Sequence, residues 1–404
     1  MSGEAGLRGA PPPLSLYVHV PWCVRKCPYC DFNSHPLGPE GLPEAQFLRA
    51  LLEDLAEESG DAAGRALVSV FFGGGTPSLL APETVARVLE AAGRGPGLAP
   101  GAEVTLEANP GTVDAGRLRE LRAAGVDRLS LGAQSFDDRL LRRIGRIHSA
   151  REAAAAVEAA RSAGFGNVGL DLMYGLPGQT AAGALADVEA ALALEPEHLS
   201  HYQLTLEAGT AFHRDPPPLP DEEVVADMES ACRARLADGG LARYEVSAFA
   251  RPGRQCRHNL NYWTFGDYLA LGPGAHGKLT RVAGGRVLRR ARPAHPGDYL
   301  RAGPGGRWAE VRELAVGDLV LEFFLNVLRL AEGVPEALFA ERTGLSLSTA
   351  AGALAEARAR GLMTAEPGRL RATEAGLRFL NDLCALFLPA GSGLPPVVPP
   401  EETA

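Results

Sequence analysis

A chain of 404 residues, 46% of them apolar, can bury more core than one small domain needs, so one large domain with an appendage is expected. A formal charge of −9 with no local block of Lys and Arg excludes a broad cationic surface for phosphate backbones, and nucleic acid is not an expected partner. No apolar run reaches the ~18 residues of a membrane span, and the opening MSGEAGLRGAPPP lacks an apolar secretory core, so a cytoplasmic location is expected.

Apolar runs of strand length recur at Leu16 to Val20, Leu67 to Phe72, Val104 to Leu106, Arg128 to Leu131, Val168 to Met173 and Leu199 to Leu206. Helical patterns separate them: Phe47, Leu48, Leu51, Leu52 and Leu55 form one stripe between Glu44 and Ser59. Pro82 suits the first turn of a helix to about Ala92, and Ser149 with Glu152 matches a capping box that opens an Ala-rich helix to Ala163. Strands alternating with helices imply parallel pairing through right-handed crossovers, and six such units fit an α/β fold of the partial (β/α)6, TIM-like barrel type.

The expected organisation places this barrel at 14–215, an elaboration of mixed helices, short strands and Gly-rich loops at 216–310, and a C-terminal helical, winged-helix-like module at 311–388. In that module LVLEFFLNVLRL, VPEALFAERTG and STAAGALAEARARGLM read as helices, and GRLRATEAGLRFLND as a hairpin-like close. Its arginines are interspersed with acids, which favours packing over DNA binding. Residues 1–13 and 389–404, rich in Pro, Gly and Ala, are expected to be disordered.

Six cysteines are too few for a disulfide scaffold. Cys23, Cys27 and Cys30 crowd directly after the first strand, whereas Cys232, Cys256 and Cys384 lie far downstream; the asymmetry points to a metal. A structural zinc ion wants four ligands, and beyond His19 in the strand and His35 after the loop no fourth is near. Three thiolates on a [4Fe–4S] cube instead leave one iron open to a ligand's amino and carboxylate groups.

Polar residues interrupt the other strand ends: GGGTP (Gly73 to Pro77) after the second, Glu107 in VTLEANP, Gln134 in LGAQSF and Asp171 in VGLDLMYGLP. Absent side chains at Gly74 and Gly75 would let backbone groups approach a ligand. Buried carboxylates need donors, which a ligand at this face could supply, though an internal ion pair would satisfy them equally. Arg146 could fork onto a carboxylate or stand solvated beside Arg142 and Arg143.

The C-x3-C-x2-C spacing resembles that of the radical S-adenosylmethionine (SAM) superfamily. Tyr17, the cysteines, GGGTP, EANP, LGAQSF, Arg146 and DLMYGLPGQT together are similar to the HemN family of coproporphyrinogen dehydrogenases, and to its HemW-type haem chaperone branch. The resemblance implies a [4Fe–4S] cluster on Cys23, Cys27 and Cys30. It also implies SAM held by Tyr17, Gly74, Gly75, Thr76, Glu107, Gln134, Arg146 and Asp171, with Tyr29 and Phe32 beside them. The dehydrogenase proper has a further cysteine where this chain has Phe32. In its place stands HNLNYW, similar to the branch's HN-x-x-YW motif, which implies haem as cargo near His258, Asn259, Tyr262 and Trp263. Imidazole can ligate haem iron and Tyr and Trp offer flat apolar surface, with Cys256 a competing ligand and a buried core histidine the plainer reading.

Three functions follow as expectations: a haem chaperone that uses or senses the cluster and SAM and delivers haem to acceptor haemoproteins, respiratory membrane proteins among them; an oxygen-independent coproporphyrinogen III dehydrogenase; or a zinc-stabilised interaction module. The first allows a peripheral place at the inner face of the membrane, and SAM cleavage would need an electron donor of flavodoxin or ferredoxin type. Replacing Cys27→Ala is expected to abolish the iron–sulfur absorbance after anaerobic reconstitution while the barrel still folds, and equal iron content in both proteins would refute the assignment.

Overall fold

The structure, a computed structural model, describes residues 10–62, 64–282 and 284–389. Six strands, β1 (Leu14–Val20), β2 (Leu67–Gly74), β3 (Leu98–Ala108), β4 (Arg128–Gln134), β5 (Val168–Tyr174) and β6 (His198–Gln203), lie side by side in chain order. All five pairings are parallel. Helices α1 (Glu44–Asp61), α2 (Pro82–Arg94), α3 (Ala115–Ala123), α4 (Asp138–Arg143), α5 (Ala150–Ser162) and α6 (Ala181–Ala193) fill the crossovers, and α7 (Ala211–Arg214) and α8 (Glu222–Asp238) follow β6. The expected capping box forms: Ser149 Oγ accepts from Glu152 N, and Glu152 accepts from Ser149 N.

Two of the expected strand limits move. The last strand stops at Gln203 rather than Leu206, because β5 turns away at Gly175, where φ is +71°, and leaves nothing to pair with. The third begins at Leu98, since Leu98 pairs with Leu67 ahead of the apolar run.

Residues 216–310 widen the sheet at both edges. A hairpin of β7 (Ala242–Glu245) and β8 (Ala248–Ala250) joins β6 antiparallel. On the far side β9 (Asp267–Leu271) pairs parallel with β1, and β10 (His276–Arg281), β11 (Arg286–Ala291) and β12 (Glu310–Glu313) continue as a meander. Between them α9 (Arg257–Trp263) carries the HNLNYW segment, and α10 (Pro296–Arg301) links β11 to β12.

Alternation along the strands sorts the side chains into two faces. Leu14, Leu16, Val18, Val70, Phe72, Val104 and Leu106 point outward into the core shared with the helices. The inner face is polar: register sets Ser15 beside Ser69, Ser69 beside Glu103, Glu107 beside Ser130, and Asp171 beside Ser200. The helix α9 lies on that face, with His258 facing Ser69 and Asn261 bonded to Ser15.

The C-terminal part has its own apolar cluster, in which Phe323, Phe324 and Phe339 pack together. It comprises α11 (Val316–Val327), α12 (Ala337–Thr343) and α13 (Ala351–Ala359). The chain then folds back, Thr364 N donating to Arg371 O and Thr373 N to Leu362 O. The last part of the expected hairpin segment is instead helical, as α14 (Glu374–Arg378) and α15 (Leu380–Ala385), because Thr373 caps a new helix start. Of the termini expected to be disordered, 1–9 and 390–404 lie outside the described residues. Pro12 and Pro13 are instead held, their carbonyls accepting from Arg65 and from Asp267 N at the start of β9.

A buried ion network ties β11 to α1. Arg292, with no exposed side-chain surface, meets Asp54 and Glu58 and lies 3.5 Å from the centre of the Trp308 ring. Replacing Arg292→Ala would leave Asp54 with Arg307 and Tyr299 and Glu58 with Arg290 but remove the cation the two share, and a loss of up to about 3 kcal/mol is expected. Urea melts of the two proteins check it.

Candidate functional site

The site is built where β1 and β2 end. Trp22–Cys23 pairs with His35–Pro36, so the segment that carries Cys27 and Cys30 is an excursion with tied ends. His35 N donates to Pro21 O and Leu37 N to Cys23 O. Asn33 anchors it to the sheet's other edge, its amide donating to Pro273 O and Ala294 O.

The glycine turn is flush against this loop. A Cβ on Gly75 would stand 2.5 Å from the Trp22 carbonyl oxygen, and one on Gly74, where φ is +113°, would stand 2.6 Å from the His19 ring. The glycines are therefore required by packing against the cysteine loop as well as by ligand approach.

A cavity of about 450 Å³ opens there, in the range of small-molecule sites. Its wall includes Cys23, Cys27 and Cys30, Tyr29 and Phe32, Gly74, Gly75 and Thr76, and Glu107, Gln134, Arg146 and Asp171. Of the positions expected from the sequence to hold SAM or the cluster, Tyr17 alone is absent from this wall: its hydroxyl donates to His19 Nδ1 and its ring faces Phe71 and His258.

Each wall residue is held by a neighbour. Glu107 Oε2 accepts from Gly74 N at 3.1 Å, and burial together with Asp171 pushes its carboxyl up to about 8. Asp171 accepts from Ser130 and Ser200, while burial raises it as well. Gln134 sits at φ +68°, a strained conformation for a residue other than glycine, where the β4 register breaks; its side chain accepts from Tyr202 OH at 2.7 Å. Arg146 donates to Gly132 O and approaches Cys27 Sγ at 3.7 Å, but its buried Nε has no partner. Ser130, Ser200 and Tyr202 were not singled out in the sequence, although each is a polar interruption of an apolar strand, the same signal that exposes Glu107.

The three thiols are a donor set that fits a cluster. Burial and the neighbouring thiols push Cys23 up to about 11, so the group resists ionising without a metal to take the charge. Cys23, Cys27 and Cys30 line one cavity and form a three-thiol donor set of the kind that suits iron–sulfur chemistry.

The HNLNYW segment is divided. His258, 5% exposed, faces Ser69 and stacks 4.8 Å from Phe71; burial, then Arg128, lowers it to about 3 and leaves it neutral. Tyr262 stacks on Tyr268 at 4.0 Å. Cys256 is fully buried against Glu103. Only Asn259 and Trp263 of the segment reach the cavity, at the end where Glu245 and Arg329 also line it.

The chain matches the Radical SAM superfamily over residues 17–191 and the HemN C-terminal domain over residues 315–379. It is 46% identical to the heme chaperone HemW of Escherichia coli (strain K12), covering 93% of this chain and 98% of that protein. It is 38% identical to mouse radical S-adenosyl methionine domain-containing protein 1, mitochondrial, covering 93% and 87%. Among solved structures, coproporphyrinogen III oxidase (HemN) of Escherichia coli superposes with a TM-score of 0.79 at 23% identity, covering 95% of this chain and 92% of that one; at that identity the likeness concerns the fold alone.

Glu107 gives the ligand-free protein a defined pH response. Its folded carboxyl titrates near 8 against 4.5 unfolded, so the native state holds the extra proton and stability falls as pH rises between those values. Replacing Glu107→Gln removes this fall, so the variant should gain ~2 kcal/mol on the wild type between pH 5 and pH 9, with water in the cavity moderating the effect. Thermal melts across that range check it, and parallel pH profiles would contradict the assignment.

Proposed function

This chain belongs to the HemW heme chaperone family within the radical SAM superfamily, and from that we propose that it binds haem, a [4Fe–4S] cluster and SAM, and passes haem to acceptor haemoproteins. The observation that carries the reading is the high identity to a heme chaperone along almost the whole of both chains. The dehydrogenase reading has only the shared fold behind it.

Cys23, Cys27 and Cys30 would hold the cluster, and Phe32 in the place of a further cysteine fits the chaperone branch. When bound, cluster and SAM together supply one-electron cleavage of a sulfonium. The residues around them supply position. Glu107, steadied by Gly74 N, suits an ammonium, whose charge would draw its proton off. The unpartnered Nε of Arg146 suits a carboxylate, and Asp171 suits sugar hydroxyls. Gly75 and Thr76 line the same wall, with Gln134 oriented by Tyr202. Tyr17, outside the wall, would act on this end through His19.

Haem would meet the opposite end, against Trp263 and Asn259. His258 and Tyr262 support α9 from behind, and neither His258 nor Cys256 lines the cavity where haem would be held. No described helix is long and apolar enough to cross a membrane. Work in the cytoplasm, with acceptors at the inner face of the membrane and a flavodoxin- or ferredoxin-type donor, fits this reading.

Anaerobically reconstituted protein, loaded with haem, is expected to transfer it to an apo-haemoprotein and to form no vinyl product from coproporphyrinogen III with SAM and a reductant. Vinyl formation, or failure to bind haem, would overturn the reading.

A further inference from the structure

One end of the cavity wall joins three separate parts of the chain. Glu245 and Ser247 come from the β7–β8 turn, Asn259 and Trp263 from α9, and Arg329 from the C-terminal module just after α11. Arg329 lies over the Trp263 ring, 4.4 Å from its centre. Its side chain is 26% exposed, and Nη2 donates to Glu245 Oε2 at 3.0 Å. The other oxygen of Glu245 accepts from the backbone N and the hydroxyl of Ser247.

Donors outnumber acceptors here. Arg329 Nε and Trp263 Nε1 are buried without a hydrogen-bond partner among the described residues, and a buried donor left unpaired costs roughly 1–3 kcal/mol. A guanidinium that uses one edge on Glu245 keeps N–H groups for a second acceptor, and its planar fork suits a carboxylate. The indole beside it supplies a flat apolar face for the ring that would bear such a group.

We propose that Arg329 and Trp263 form a carboxylate-recognition site at this end of the cavity, which takes a propionate of a porphyrin cargo. The site rests on the haem reading above and gives the C-terminal module a part in it, since the module provides the guanidinium. Glu245 is the competitor: it already holds one N–H of Arg329 and repels a second carboxylate.

The test compares haem with haem dimethyl ester, which keeps the ring and lacks free carboxylates, by equilibrium titration of the full-length reconstituted protein. The wild type should bind the free acid about 10-fold tighter or more. Arg329→Gln should erase most of that preference by weakening the acid far more than the ester, Trp263→Phe should weaken both compounds while narrowing the difference between them, and Glu245→Gln should enlarge it. Trp263→Phe keeps the ring and guards against a folding defect in the arginine variant. Equal binding of acid and ester by the wild type, or an undiminished preference in both variants, overturns the site and leaves the haem reading standing. Binding of neither compound overturns the haem reading and this inference together.

Discussion

Polar groups taken out of water must be paired, and the inner face of the six parallel strands carries more of them than the chain itself satisfies. Ser15 pairs with Ser69, His258 meets Ser69, and Asp171 takes Ser130 and Ser200. Toward the carboxyl ends the pairing runs out: Glu107 holds a single backbone donor, Arg146 Nε has no acceptor among the described residues, and three thiols line the same cavity. That deficit is one that a charged, polar cofactor would remove. An apolar barrel interior would be more stable and would have nothing to offer it.

The same constraint explains α9. It packs along the polar face, where Arg257 N meets Glu103 and Asn261 meets Ser15, and turns Asn259 and Trp263 toward the cavity. One short helix therefore closes the inner face and contributes to the open space. A ligand role for His258, chemically reasonable from the motif, gives way to a supporting one because the ring is already enclosed by Phe71 and Ser69.

Much of this was legible in the sequence. Alternating apolar strands and amphipathic helices define the partial barrel, and the spacing of Cys23, Cys27 and Cys30 after β1 points to the cluster. Glu107, Gln134 and Asp171 announce themselves as polar breaks in apolar strands. What could not be read is long-range placement. Arg329 looks like one arginine among many in a helical module, and only the fold brings it over Trp263. Tyr17 sits in the right motif and on the inner face with Ser15, yet its ring is taken up by Phe71 and His258 and its hydroxyl by His19, so it does not line the cavity. The glycines are read from sequence as space for a ligand, whereas a Cβ would first meet the His19 ring of β1 at Gly74 and the Trp22 carbonyl at the foot of the cysteine loop at Gly75.

The central claim is that the three thiols leave one corner of a cluster for the amino and carboxylate groups of SAM. Electron–nuclear double resonance of the reduced, reconstituted protein with SAM labelled with ¹⁵N in its amino group and ¹⁷O in its carboxylate tests it most directly. Hyperfine coupling of both labels to the cluster is the expected result. A cluster signal unchanged by labelled SAM, or no cluster signal at all, would contradict the account.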